Sequence, residues 1–389
     1  MSVKLVLSAM ALVLICSSCQ RPAPAALRPS PSASPAAATP ASPTLRPTPA
    51  YLPRPVTVVT PELPAPAGPL GFSCKLPTYR LDGNTPPQSQ VGFLSLPDGG
   101  VTLQPAPSLP AGSTVTIDST GPKQQYPSAF YFDRAVSTWV PVIRGAVSPD
   151  GTHYAYMSFP ALDQGVMNIV DVATGGVRTY PATYATFSYA RYLVMDYAKE
   201  GIYLGVGYEG LAGVSVMDPA TGVIRDAGPY HFAPVMAVAG SAVWFGGANP
   251  ADPKPAPGGL AGASDSVDSF DFLSGTQTPW MYLPGTFLQV VAVDPAGHPI
   301  VLVGHGSGNS ADNAELLLLT KPGAAEQIFH GTLAQLESIA PSIALGLGGP
   351  IVDSHGIWFG SPAGIYLYSP GVGMRKVSDQ AGYPGNGCV

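Results

Sequence analysis

Residues 145–180 carry the pattern that most restricts the fold of this chain. Val147 ends a short strand, and Ser148-Pro149-Asp150-Gly151 reads as a tight turn in which Pro fixes φ and Gly supplies φ > 0. Residues 152–158 read as a second strand rich in aromatics, and 167–172 as a third. Ala173-Thr174-Gly175-Gly176 is the next turn, and residues 177–180 are a fourth strand. A four-stranded antiparallel unit of this size cannot cover both of its faces, so it requires neighbours of its own kind.

The plan recurs. The turn between first and second strands returns as Lys199-Glu200-Gly201, Ala239-Gly240-Ser241, Asp294-Pro295-Ala296-Gly297 and Asp353-Ser354-His355-Gly356. Each leads into an apolar run, such as Val243-Trp244-Phe245 or Ile357-Trp358-Phe359. The turn between third and fourth strands returns as Thr221-Gly222, Ser274-Gly275, Pro322-Gly323 and Pro370-Gly371. Asp171 and Asp218 open the fuller forms of it, where Asp and Thr side chains are expected to bond turn amides. An earlier unit is read with residues 92–101 as its first hairpin and 130–141 as its second. Irregular repeats leave room for a seventh unit around residues 72–90. Residues 333–340 are the best short helix. Six units of roughly 40–55 residues stacked radially predict an all-β fold, a β-propeller of six four-stranded blades spanning residues 71–389. Ser148-Pro149-Asp150-Gly151 and the strand after it resemble the TolB-type, WD40-like repeat of six-bladed propellers. That resemblance implies the fold and no particular role.

The first 70 residues have a different texture. Lys4 precedes an apolar run, residues 5–15, too short to span a bilayer, so residues 1–19 read as an export signal. Cys16-Ser17-Ser18-Cys19-Gln20 resembles a bacterial lipoprotein cleavage box, with Cys16 standing where Leu is usual. The resemblance implies that Cys19 is lipidated and the protein anchored to a membrane of the cell envelope. Fifteen prolines fall between Arg21 and Leu70. Such a Pro/Ala/Ser/Thr tract favours extended polyproline II and, at about 3.1 Å per residue, would form a stalk of up to roughly 150 Å over residues 20–70. Export permits disulfides. Cys74 and Cys388 flank the propeller, and a ring brings its ends together. A Cys74–Cys388 bond is therefore expected, worth about 4–5 kcal/mol on the loop-entropy model.

Function is less legible. Charged residues are only 11% of the chain and the formal charge is −6, which disfavours nucleic acid as a partner. No Gly-x-Ser-x-Gly elbow, His-Glu-x-x-His or zinc-type cysteine spacing occurs, and Gly304–Gly308 leads into a strand where a dinucleotide loop needs a helix. No catalytic set, metal or cofactor is assigned. Asp265, Asp268 and Asp271 lack a calcium-loop pattern and are read as solvated. Links between second and third strands (residues 159–166, 207–213, 246–266, 304–313) and between units are the longer ones, and a meander sends both to one face. That loop-rich face and its channel mouth form the expected binding face. Its candidates are Tyr184, Phe187, Arg191, Tyr208, Glu209, Tyr230, His231, His305, Ser307, Asn309 and Asp312. Aromatics with few charges suit protein or carbohydrate partners. A non-catalytic envelope binding module is the expectation. A channel-mouth hydrolase or lyase, or a scaffold subunit of an envelope assembly, is the alternative.

Overall fold

The computed structural model of the chain describes residues 70–81, 87–116, 121–183, 191–207, 211–227, 235–246, 264–283, 286–305, 313–341 and 349–389. All fall within one compact unit. The strands form six antiparallel blades in a ring. From the axis outward, the third blade is Arg191–Ala198, Gly201–Gly207, Leu211–Met217 and Ile224–Asp226. The fourth is Val235–Ala239, Ala242–Phe245, Ser266–Asp271 and Thr276–Tyr282. The fifth is Thr286–Val293, Pro299–His305, Asn313–Lys321 and Ala324–Gly331. The sixth is Ile351–Asp353, Gly356–Ser361, Gly364–Ser369 and Gly373–Ser378.

The second strands are covered on both faces, which is why they read as unbroken apolar runs rather than alternating ones. Gly356–Ser361 is buried at every position. Each blade closes its faces on its neighbours. Ile202 and Leu204 pack with Ala155 and Ile169 across the second–third seam. Val301 and Val303 pack with Trp244 and Val267 across the fourth–fifth seam. Trp358, Ile365 and Leu367 pack with Leu76 and Leu94 across the sixth–first seam. The predicted turns form as expected. Gly151 sits at φ 72° and Gly175 at φ 69°. Asp171 accepts from the Thr174 amide at 2.8 Å, and Asp218 from the Ala220 amide at 2.7 Å. The predicted helix is Leu333–Ile339, entered through a capping box between Thr332 and Gln335.

The first blade differs from its sequence reading. Its strands are Tyr383–Pro384, Cys74–Arg80, Gln90–Leu96 and Val101–Pro105, so the innermost strand comes from the other end of the chain. Residues 74–80 lie in this blade and the ring has six blades, not seven. The hairpin Tyr131–Asp133/Thr138–Val140 is a separate two-stranded sheet and not the outer half of the first blade. It belongs to a wedge between the first two blades. Ala129 and Phe130 pack on Tyr79 and Val91 of the first blade, with Trp139 beside them. Val140 and Val142 pack on Tyr154, Tyr156 and Val170 of the second.

The second blade is His153–Ala161, Gln164–Asp171 and Val177–Pro181, with a divided inner edge. Val147 pairs antiparallel with Tyr154 at one end, and Val115 pairs parallel with Phe159 at the other. Lys123–Gln124 then pairs with Thr114–Val115, making a five-stranded sheet. Strand pairing continues to Ala161↔Gln164, so the expected long link over residues 159–166 is a tight turn at Leu162-Asp163.

The ring closes at the chain ends. Tyr383 and Pro384 pair with Tyr79 and Thr78. Gly385 donates its amide to Pro77 O at 2.8 Å, and Val389 donates to Lys75 O at 2.9 Å. Cys74 and Cys388 are joined by a disulfide across 314 positions of sequence. Replacing both cysteines by serine is expected to lower unfolding stability by about 2–5 kcal/mol, because the open chain gains loop entropy in the unfolded state. Denaturant titration of the oxidised protein and the variant checks this; coincident midpoints would refute it.

Candidate functional site

The inner strands of the ring are interrupted at similar levels. Register shifts occur between Val194 and Asp196, Val235 and Ala237, and Val290 and Ala292. A bulge turns backbone groups out of the ladder. Here it brings carbonyls against the neighbouring blade. A Cβ at Gly145 would lie 2.6 Å from Met195 O, and one at Gly349 would lie 2.7 Å from Val291 O. Both positions therefore require glycine. Inside these strands runs a cavity of about 1660 Å³, to which all six blades contribute, from Pro384 and Val147 through Val194, Ala237 and Leu288 to Ile351. It reaches the face of the tight first-to-second turns, where Pro149, Gly240, Pro295 and Ser354 line it. The described lining thus extends to the face opposite the one expected to bind.

The wall carries Asp133, Arg134, Arg144, Asp196, Asp294 and Asp353. The carboxylates are tied to backbone. Asp294 accepts from the Ala296 and His298 amides, both at 2.8 Å, and lies 3.0 Å from His298 Nδ1. Asp353 accepts from the His355 and Cys388 amides, both at 2.8 Å. Asp133 accepts from the Ala135 amide at 2.7 Å. Asp196 accepts from the Gly240 amide of the next blade at 2.7 Å. Burial pushes the Asp196 carboxyl up to about 6, against the Gly240 amide and the Arg144 guanidinium, which favour its charged form. Arg134 donates to Cys388 O. Asn386 donates to Phe132 O at 2.7 Å and to Tyr131 Oη at 3.1 Å, so the wedge hairpin rests on the C-terminal segment. Burial raises the Tyr131 phenol above its usual range. The Arg144 guanidinium is exposed and makes no hydrogen bond or ion pair among the described residues. Also among the described residues, no three His, Cys, Asp or Glu side chains gather as a metal site.

Tyr184, Phe187, Tyr208, Glu209, Tyr230, His231, Ser307, Asn309 and Asp312 lie outside the described residues, as does Cys19. His305 ends a strand and pairs through its backbone with Thr286 and Asn313. Arg191 is engaged within the protein. Its Nη2 donates to Thr116 O at 3.1 Å, and its guanidinium stacks 4.8 Å above the Phe159 ring. It ties the third blade to the second. Asp265 and Asp268, read as solvated, are only 6% and 9% exposed. Asp268 accepts from Gln277 Nε2 at 2.8 Å, so a strand-to-strand hydrogen bond accompanies its burial. Sequence reasoning missed Arg144 and Asp196. Their signal was a charge just before a first-to-second turn, on the strand nearest the axis.

No protein-family model matches the sequence, and no curated protein matches it. Solved structures do. A Lactobacillus plantarum protein matches at 10% identity over 80% of this chain and 97% of its own, with a TM-score of 0.43. The WD40 domain of SCAP from fission yeast matches at 10% identity over 78% of this chain and 86% of its own, with a TM-score of 0.24. The Pyrococcus horikoshii acylaminoacyl peptidase matches at 10% identity and a TM-score of 0.38; 78% of this chain is covered, but less than half of the peptidase, 46%. All three TM-scores are below 0.5, and none of these matches bears on ligand or role.

Asp196 holds its proton more tightly in the folded state, so its contribution to stability is complete below pH 4 and lost as pH rises through 6. Asp196→Asn should therefore flatten the fall in stability between pH 4.5 and 7.5 by about 1–2 kcal/mol, allowing for partial solvent access. Melting curves across that range check it. Parallel profiles for both proteins would contradict it.

Proposed function

We propose that this chain is a non-catalytic binding module of the cell envelope, presented to a protein or glycan partner on a lipid-anchored, proline-rich stalk. The observation that carries this reading is the open cavity along the ring axis, whose carboxylates are committed to backbone amides. Carboxylates held this way shape a rigid wall. Asp133, Asp294 and Asp353, fixed by turn amides, are poorly placed for proton transfer, which needs a group poised on the substrate. A preformed concave site with a few polar groups suits recognition.

The first described residues lie at the same tight-turn face that the cavity reaches. Leu70 and Phe72 pack against the buried cluster of Leu76, Leu94 and Trp358, and the Phe72 ring stacks on His355 at 4.0 Å. His355 lies in a first-to-second turn, so the described chain enters the propeller at its tight-turn face.

Two experiments test the reading. The full mature chain is screened on peptide and glycan arrays, with a reproducible ligand of micromolar affinity expected; no ligand on either array counts against it. Cys19→Ser is expected to move the protein from the membrane fraction to the soluble exported fraction. Unchanged membrane retention would rule out lipidation at Cys19.

A further inference from the structure

We infer that the channel wall beside Arg144 takes the free C-terminal carboxylate of a peptide whose last residue is apolar. The inference rests on the binding-module reading and names the ligand class of that site. Arg144 belongs to a single 3₁₀ turn, Arg144–Ala146, which replaces regular strand at the inner edge of the second blade. The absence of a Cβ at Gly145 lets this turn lie against Met195 O of the third blade, so Arg144 is set next to residues 193–196. Every carboxylate of the lining has backbone donors, and Arg134 has a carbonyl acceptor. The Arg144 guanidinium is the ionic group of the lining with no such partner. A planar guanidinium matches the two oxygens of a carboxylate better than any neutral acceptor.

The neighbouring wall selects the rest of the ligand. Leu193, two residues before Met195, lines the cavity and is 46% exposed, an unusual state for a large aliphatic side chain inside a channel. Val194 continues the apolar strip. A terminal apolar side chain would cover Leu193 while its carboxylate meets Arg144. An acidic sugar fits less well. Sugars stack on open aromatic faces. Of the five aromatic side chains in this lining, Tyr79, Phe130, Tyr197 and Phe287 are under 9% exposed, and only Tyr131, which accepts from Asn386, is half-buried.

The charged and titratable groups around Arg144 are Tyr131, Asp133 and Arg134 on the wedge hairpin, Asp196 on the third blade and Glu200 beyond it. Asp196 opposes a bound carboxylate when ionised. Because its proton is lost near pH 6, affinity should rise as pH falls from 7.5 to 5.5, while a peptide carboxyl stays ionised.

The test titrates the full mature chain with acetyl-Gly-Gly-Leu as the free acid, the same peptide as its amide, and a uronic-acid oligosaccharide, followed by calorimetry or NMR. The free acid should bind, more tightly at pH 5.5 than at 7.5. The amide should bind about tenfold more weakly or not at all, and Arg144→Ala should produce the same loss. Arg144→Lys, which keeps the charge but not the fork, should fall between. Arg144 is exposed, so at pH 5.5, where Asp196 is mostly protonated, melting temperatures of both variants should match the parent. Equal binding of acid and amide, binding indifferent to Arg144, or preference for the uronate overturns the inference. If all three probes fail while the arrays yield a ligand, the inference falls and the binding module stands. If the arrays are also blank, both fall.

Discussion

The pairing of residues 383–389 with Cys74–Arg80 is the constraint on which the rest of the structure depends. A sheet edge exposes unpaired N–H and C=O groups and invites foreign strands. In the other blades, local sequence supplies the inner strand. In the first, the chain must return from its far end to supply it. The Lys75–Val389 and Pro77–Gly385 hydrogen bonds hold the strand in place, and the Cys74–Cys388 disulfide fixes it covalently. The wedge hairpin then covers it, through Phe132, Arg134 and Asn386. Arg134 and Asn386 also form part of the cavity wall. Closing the ring and shaping the site are one event.

From closure follows the division of labour between seam and axis. The seams are apolar, with side chains such as Ile202, Leu316 and Trp358 fully buried. At the axis the strands break register, and glycines let bulged carbonyls approach the next blade. The axis therefore remains open. Toward the tight-turn end, Asp133, Asp196, Asp294 and Asp353 accept backbone amides. Arg144, Leu193 and Gln289 are exposed groups of this wall, open to a ligand.

Much of the fold was legible, because its punctuation is chemical. Ser148-Pro149-Asp150-Gly151 and the Asp-x-x-Thr-Gly turns announce their dihedrals, and alternating turns set the blade period. The helix at Leu333–Ile339 was expected over residues 333–340, and the structure adds its capping box of Thr332 and Gln335. The Cys74–Cys388 bond followed once a ring was assumed. What escaped has physical causes. Tyr383–Pro384 is a two-residue strand between glycines, too short and too Pro/Gly-flanked to be read as a strand, and it exists because the first blade needs an edge. Pro160 disguised the end of the strand His153–Ala161, since Pro is a poor ladder residue. The wedge hairpin looked like half a blade because local pattern cannot tell which neighbour a hairpin will join. The binding face was inferred from loop length alone. Arg144 sits in a turn with no motif, and only the assembled ring places it on the cavity wall.

Native-state hydrogen exchange at the chain ends tests the central claim most directly. If the C-terminal residues are the inner strand of the first blade, the amides of Gly385 and Val389 should exchange as slowly as those of the strand Cys74–Arg80 that receives them, and all should open together with the ring. Rapid exchange at Gly385 and Val389 beside a protected Cys74–Arg80 would show a loose tail and contradict the account.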